Sequence, residues 1–301
     1  MSSSGRLSTR VLTGRRARSL VVLAALAVGA TTFAEPAAAA PAAAPPTYVA
    51  LGDSYTSGPL VGNQQLSGLG CFRSDINYPK LAAKALGTTV KDVSCSGASS
   101  IHVTAAQTVV GLPTPPQLDA VTANATRVSM GFGGNDIKFV EIITGCASLL
   151  PFGSPCRNKH ASGGVDALAA RIDAAGPGVG QAIAAVKAKA PGVRIFVVGY
   201  PALLPESGSC WPQMPYTRSD VSYLRDVNKR LNAMLAGQAA AAGATYVDVY
   251  TPSIGHDACK SKTNRWVEPI VPGNPAAPVH PNAAGNAGMA QALVAAMTAR
   301  G

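Results

Sequence analysis

Residues 48–56 read Tyr48-Val49-Ala50-Leu51-Gly52-Asp53-Ser54-Tyr55-Thr56. The stretch is apolar as far as Leu51, stops at a glycine and continues with two short polar residues. An unbroken apolar run of this kind is the pattern of a strand buried on both faces of a parallel sheet. Its exit turn then carries Asp53 and Ser54. Many strand ends look alike, so the stretch alone leaves Ser54 as either a turn residue or a nucleophile. The choice depends on whether a base and hydrogen-bond donors can reach it from elsewhere.

Working outward, the strand spans 47–52, and four more segments are apolar in the same way: 90–94 (VKDVS), 127–133 (RVSMGFG), 194–200 (RIFVVGY) and 245–250 (TYVDVY). Helical patterns separate most of them. One begins near Tyr78 and stops at Gly87; another, PQLDAVTANA, precedes the third strand. The Ala-rich 165–190 segment precedes the fourth and is broken by Gly-Pro-Gly, and Leu224, Val227, Leu231 and Leu235 line one face of a helix before the fifth. A final helix starts around Asn282, a good N-cap. Strands alternating with helices predict an α/β fold with a doubly wound parallel sheet, whose ligands bind beyond the carboxyl ends of the strands. Three polar exits should therefore meet on one rim: Gly52-Asp53-Ser54, Cys95-Ser96-Gly97-Ala98 and Gly133-Gly134-Asn135-Asp136.

The N-terminus has a separate logic. Arg10, Arg15, Arg16 and Arg18 precede an apolar run from Leu20 to Phe33, and AEPAAAAPAAAPP follows. A basic start, a short apolar centre and Ala-x-Ala sites predict a secretory signal over 1–40, leaving 41–301 as one domain. The remaining ~260 residues are enough for one well-buried core. No segment is long and apolar enough to predict stable membrane insertion. The full chain has 25 Lys+Arg against 15 Asp+Glu; beyond position 40 there are 20 and 14, a net charge of +6. That excess has no basic cluster with interleaved aromatics, so a nucleic-acid partner is not expected. A monomer acting on a small-molecule or lipid substrate is.

All six cysteines, Cys71, Cys95, Cys146, Cys156, Cys210 and Cys259, fall after the signal. An even number in an exported chain predicts disulfides, and the sequence permits fifteen pairings. Pairing neighbour with neighbour closes short loops and is favoured. No C-x-x-C motif occurs, so neither a zinc nor a redox site is expected.

Acyl transfer through a serine needs a base, oxyanion donors and a pocket. Gly97 allows close backbone approach, and the Asn135 amide is a neutral donor. The N–H of Ser54 would be a third donor. Among four histidines, His280 in PVHPNAAG stands where a loop can return to the rim; His102, His160 and His256 are placed less well. Asp53 and Asp136 read as turn-fixing acceptors, and Trp211 and Trp266 as core or disulfide packing.

The blocks GDSYTSG, Gly97 in CSGAS, GGND and HPN occur in that order and together resemble the SGNH (GDSL-type) hydrolases, most of all their secreted actinobacterial lipase/esterase branch. The resemblance spans the mature chain. It implies a flavodoxin-like three-layer α/β/α sandwich with a five-stranded sheet, sequential disulfides, no cofactor and a secreted serine ester hydrolase. Ser54 would be the nucleophile, His280 the base, and Ser54, Gly97 and Asn135 the oxyanion donors. One position departs from the family pattern: the aspartate expected three residues before the histidine is Ala277. A Ser–His dyad follows, with the Ala277 carbonyl expected to receive the imidazole N–H, unless Asp257 or Glu268 takes that place. The implied substrates are, in order, simple acyl esters and glycerides, phospholipids or lysophospholipids, and acetylated carbohydrates. A lipid- or glycan-binding protein on the same fold is the non-enzyme alternative, and intact Ser54, Asn135 and His280 speak against it.

Overall fold

The structure is a computed structural model and describes residues 48–68 and 70–299. The export signal expected over 1–40 lies outside the described residues. Five strands form the sheet: β1 (Tyr48–Gly52), β2 (Val90–Asp92), β3 (Arg127–Gly131), β4 (Arg194–Val198) and β5 (Thr245–Val247). They lie side by side as β2-β1-β3-β4-β5, and every pair is parallel. The order reverses at β1, the switch point at which such sheets open a crevice.

Among the described residues, seven α-helices accompany the sheet: α1 (Ser54–Ser57), α2 (Tyr78–Ala85), α3 (Phe139–Gly145), α4 (Pro155–His160), α5 (Ala167–Lys189), α6 (Arg218–Ala241) and α7 (Ala283–Thr298). Side chains along a strand alternate between faces. Tyr48 and Ala50 therefore join Phe196, Val198, Met289 and Leu293 in one apolar layer under α2 and α7. Val49, Leu51, Val128 and Val197 join Ile183, Val186, Leu231 and Leu235 in the other, under α5 and α6. The sheet is covered on both sides, so its central strands β1, β3 and β4 bury successive residues on both faces. Among the described residues, no helix is long and apolar enough to cross a membrane.

Two expectations are corrected. The Gly176-Pro177-Gly178 break does not interrupt α5, which runs continuously from Ala167 to Lys189. Proline removes one backbone donor there, but the glycines give the helix a bare edge. The Gln238 side chain packs on Gly176 and Gly180, and Ser100 Oγ on Gly178. Close packing on α6 outweighs the local cost. The segment PQLDAVTANA is not an α-helix but a single 3₁₀ turn, Gln117–Ala120. Its Gln117 side chain is held by β1, accepting from Gly52 N at 2.8 Å and donating to Gly52 O at 3.0 Å. These two bonds to the end of β1 thus determine the shape of this segment.

The cysteines pair as Cys71–Cys95, Cys146–Cys156 and Cys210–Cys259, and no described cysteine is free. Cys71–Cys95 ties the segment after α1 to the exit of β2.

Candidate active site

The β1 exit is built by close approach. A Cβ on Gly52 would overlap Thr56 Oγ1, so glycine is what lets α1 fold back directly over the strand end. Asp53 caps α1, its Oδ1 accepting from Tyr55 N at 2.8 Å, and its own N–H donates to Gly131 O at 2.9 Å. Ser54 is therefore the first residue of α1, between two strand ends.

His280 arrives on a loop fastened at several points. Glu268 N donates to His280 O at 3.0 Å, Asn282 N to Trp266 O at 2.8 Å and Ala277 N to Pro59 O at 3.0 Å. Beneath it, the Glu268 carboxylate receives Arg265 Nε at 3.0 Å, Gly273 N at 2.8 Å, and the Asn274 and Asn282 amides at 2.7 Å each. The loop brings His280 Nε2 to 2.8 Å from Ser54 Oγ.

The ring's other nitrogen corrects one expectation. Nδ1 lies 2.7 Å from the carbonyl of Pro278, not of Ala277. The Ala277 carbonyl accepts the His280 main-chain N–H at 3.2 Å. Val279 takes φ +61°, a left-handed conformation costly for a β-branched residue, and this reverses the chain so that Pro278 O faces the ring. Tyr55 Oη donates to Val279 O at 2.5 Å and holds the conformation. Asp257 and Glu268 do not bond the ring: Asp257 accepts from Cys259 N at 3.0 Å and Glu268 is occupied as above. A carbonyl only accepts, so Nδ1 carries the proton and Nε2 offers its lone pair to the Ser54 hydroxyl. Burial lowers the His280 pKa below its ordinary 6.5, partly offset by the Pro278 carbonyl.

The second and third exits are linked across the rim. Asn135 Nδ2 donates to Ala98 O at 2.8 Å, leaving its second amide hydrogen for the crevice. Asp136 accepts Ser100 N at 3.1 Å and also the Ser100 hydroxyl, which is the turn-fixing part expected of it. Gly97 sits at φ +78° between Ala98 and Ser96, whose Oγ lies 3.0 Å from Ser57 Oγ. A small crevice is lined by Ser54, Gly134, Asn135, Phe139, Val140 and His280. The other histidines are elsewhere: His102 Nδ1 accepts Ser99 N at 2.9 Å, and His256 stacks on Trp266 at 4.8 Å. His160 lies against Cys146 and Cys156, whose sulfurs are bonded to each other.

Tyr200 was not among the expected site residues. Its hydroxyl donates to Asp53 Oδ2 at 2.5 Å and accepts Gly134 N at 2.8 Å, joining the first exit to the third. It stands just past the end of β4, so the rule of strand exits would have found it. Burial pushes the Asp53 carboxyl up to about 7, against the hydrogen bonds from Tyr200 and Tyr55.

The chain has known relatives. The GDSL-like Lipase/Acylhydrolase family model matches residues 50–287. The chain belongs to that family. It is 39% identical over 282 residues to Lipase 2 of Streptomyces coelicolor, covering 91% of this chain and 93% of the relative. The extracellular lipase of Streptomyces rimosus superposes with a TM-score of 0.66 at 30% identity, over 83% of this chain and 98% of that one. Phospholipase A1 of Streptomyces albidoflavus gives the same TM-score at 26% identity, over 85% and 100%. As a member of the GDSL-like family, the protein is an ester hydrolase, and its parallel sheet flanked by helices is the fold of these lipases.

Proposed function

We propose that Ser54 and His280 form a catalytic dyad that cleaves acyl esters of glycerol and simple alcohols outside the cell. The observation that carries this reading is the 2.8 Å contact of Ser54 Oγ with a ring nitrogen whose partner nitrogen is held by the Pro278 carbonyl. Ser54 Oγ attacks the ester carbonyl carbon while His280 Nε2 takes the hydroxyl proton. The developing oxyanion receives the Asn135 amide and the N–H groups of Ser54 and Gly97. His280 then gives its proton to the departing alcohol, and the acyl-enzyme forms. Water, deprotonated by the same imidazole, releases the acid.

Relatives named as lipases and the apolar wall of Phe139 and Val140 support acyl esters. The neighbour named phospholipase A1 supports phospholipids as a second substrate class. Export through the 1–40 leader is supported by three disulfides, which persist in oxidising compartments.

Reaction with a p-nitrophenyl alkylphosphonate tests the nucleophile. One equivalent of p-nitrophenol should be released, with the phosphonyl mass on the peptide containing Ser54 and none on Ser54→Ala. Labelling at any other residue, or no burst, ends the assignment.

The dyad also has a pH signature. His280 must be neutral to accept a proton, and its pKa lies below 6.5. Measured on Asp53→Asn, which removes the carboxyl titrating near 7, kcat/KM for a soluble ester should rise with pH through a single midpoint below 6.5. A midpoint above 7 would mean a carboxylate supports the ring.

A further inference from the structure

Beyond the crevice, one feature of the surface runs against ordinary folding economy. Between α3 and α4 the chain carries Leu149-Leu150-Pro151-Phe152, with Leu149 94%, Leu150 55% and Phe152 68% exposed. Adjacent large apolar side chains in water mark a contact surface. The tip is also held in place. Cys146–Cys156 closes its base, Ser148 N donates to Pro215 O at 2.7 Å, and Trp211 Nε1 donates to Ser148 O at 3.1 Å. Ser148 Oγ reaches Leu150 O at 2.9 Å. A protrusion already ordered by covalent and hydrogen bonds loses little entropy on docking.

Its charge and position narrow the partner. Residues 142–165 contain Arg157 and Lys159 and no acidic side chain. Lys159 Nζ lies over Gly145, at the base of the loop. Glu141, paired with Lys138 at 3.5 Å, and Asp166 flank the segment, and the buried Asp220 accepts Cys156 N at 3.2 Å and Arg157 N at 3.0 Å. α3 starts with Phe139 and Val140 in the crevice wall and ends at Gly145. Seven helical residues span roughly 10 Å, so the loop begins a short helix away from Ser54.

We propose that the Leu149–Phe152 loop docks the protein onto an anionic lipid surface, its apolar side chains entering the acyl boundary while Arg157 and Lys159 meet the head groups. The inference rests on the ester-hydrolase reading for its purpose, not for its geometry. Apolar insertion and cationic attraction act together at such surfaces. Ester cleavage at the surface leaves a fatty carboxylate there, which strengthens the attraction.

The test uses the Ser54→Ala protein, which leaves the lipid intact, and vesicles of phosphatidylglycerol or phosphatidylcholine. It should co-sediment with phosphatidylglycerol, more weakly at high salt, and shift an emission that Trp211→Phe abolishes. Adding Leu149→Ser/Phe152→Ser should cut vesicle partition by roughly 10- to 100-fold, from the loss of two inserted side chains. Adding Arg157→Gln/Lys159→Gln instead should remove the preference for phosphatidylglycerol while leaving the tip intact. In the Ser54 enzyme, the Leu149→Ser/Phe152→Ser pair should slow hydrolysis of emulsified triglyceride by tenfold or more and leave dissolved p-nitrophenyl acetate unaffected. No binding to phosphatidylglycerol, equal binding by both loop proteins, or an equal loss on the dissolved ester overturns the proposal. So does a concentration-dependent dimer abolished by the loop variant, which would make a second copy the partner. Failure of phosphonate labelling with vesicle binding retained would reject the dyad and leave the docking surface standing.

Discussion

Ser54→Ala should lower kcat for p-nitrophenyl butyrate by roughly 10⁴- to 10⁶-fold with little change in KM, and His280→Ala and the double variant should fall by about the same factor. The reason is that the two side chains act as one unit. Without the imidazole, the Ser54 hydroxyl keeps its proton and is a poor nucleophile; without the hydroxyl, the imidazole has nothing to activate. Their 2.8 Å contact makes the losses overlap instead of adding. Asn135→Ala should cost less, about 10²- to 10³-fold, because the N–H donors of the neighbouring turns remain. Steady-state kinetics on the four proteins decide the matter. Equal activity in Ser54→Ala, or losses that multiply in the double variant, would separate Ser54 from His280 and end the dyad.

Glu268→Ala should destabilise the fold by about 3–5 kcal/mol. Glu268 is fully buried and Arg265 nearly so, and Arg265 Nη2 lies 2.7 Å from Glu268 Oε2. Removing the carboxylate leaves a buried guanidinium without its counter-charge and takes an acceptor from four amide nitrogens: Gly273 N, Asn274 N, and the side-chain amides of Asn274 and Asn282. For a domain of this size the melting temperature should fall by roughly 10 °C. The same carboxylate secures the segment that carries His280, so esterase activity should be lost at lower temperature too. Although burial acts to raise the Glu268 pKa, Arg265, Asn282 and Asn274 bring it down to about 2 from its ordinary 4.5. A depressed carboxylate pKa contributes stability above 4.5 that disappears as pH falls toward 2. Thermal melts of the wild type should show that acid loss, and melts of Glu268→Gln should show less of it. Identical melting curves for wild type and Glu268→Ala would remove Glu268 from this role.

Much of the architecture was legible because each decisive signal is local. The apolar runs at 48–52, 127–131 and 194–198 are strands since both faces of the sheet are covered, and Asn282 caps α7 through its side chain to Gly285 N at 3.0 Å. The GGND and HPN blocks pointed to Asn135 and His280 through their resemblance to the SGNH hydrolases, and the fold brings His280 Nε2 to 2.8 Å from Ser54 Oγ. What stayed hidden depended on partners remote in the chain. Gly-Pro-Gly at 176–178 looks like a helix break until Gln238 of α6 packs on it. Gln117 looks helical until the backbone of Gly52, 65 residues away, takes its side chain. Tyr200 is an ordinary tyrosine after a strand until its hydroxyl meets Asp53, 147 residues away.

The amino-acid order by itself determined the alternation of strands and helices, the three polar exits and the residue types able to do acyl chemistry, because period and turn composition act over a few neighbours. Only the folded chain decided that the Pro278 carbonyl, instead of that of Ala277, holds the imidazole. That choice belongs to one left-handed residue, Val279, whose conformation is secured by the Tyr55 hydroxyl from the far end of the chain. A single backbone torsion selects between adjacent carbonyls, and no pattern of neighbours encodes it.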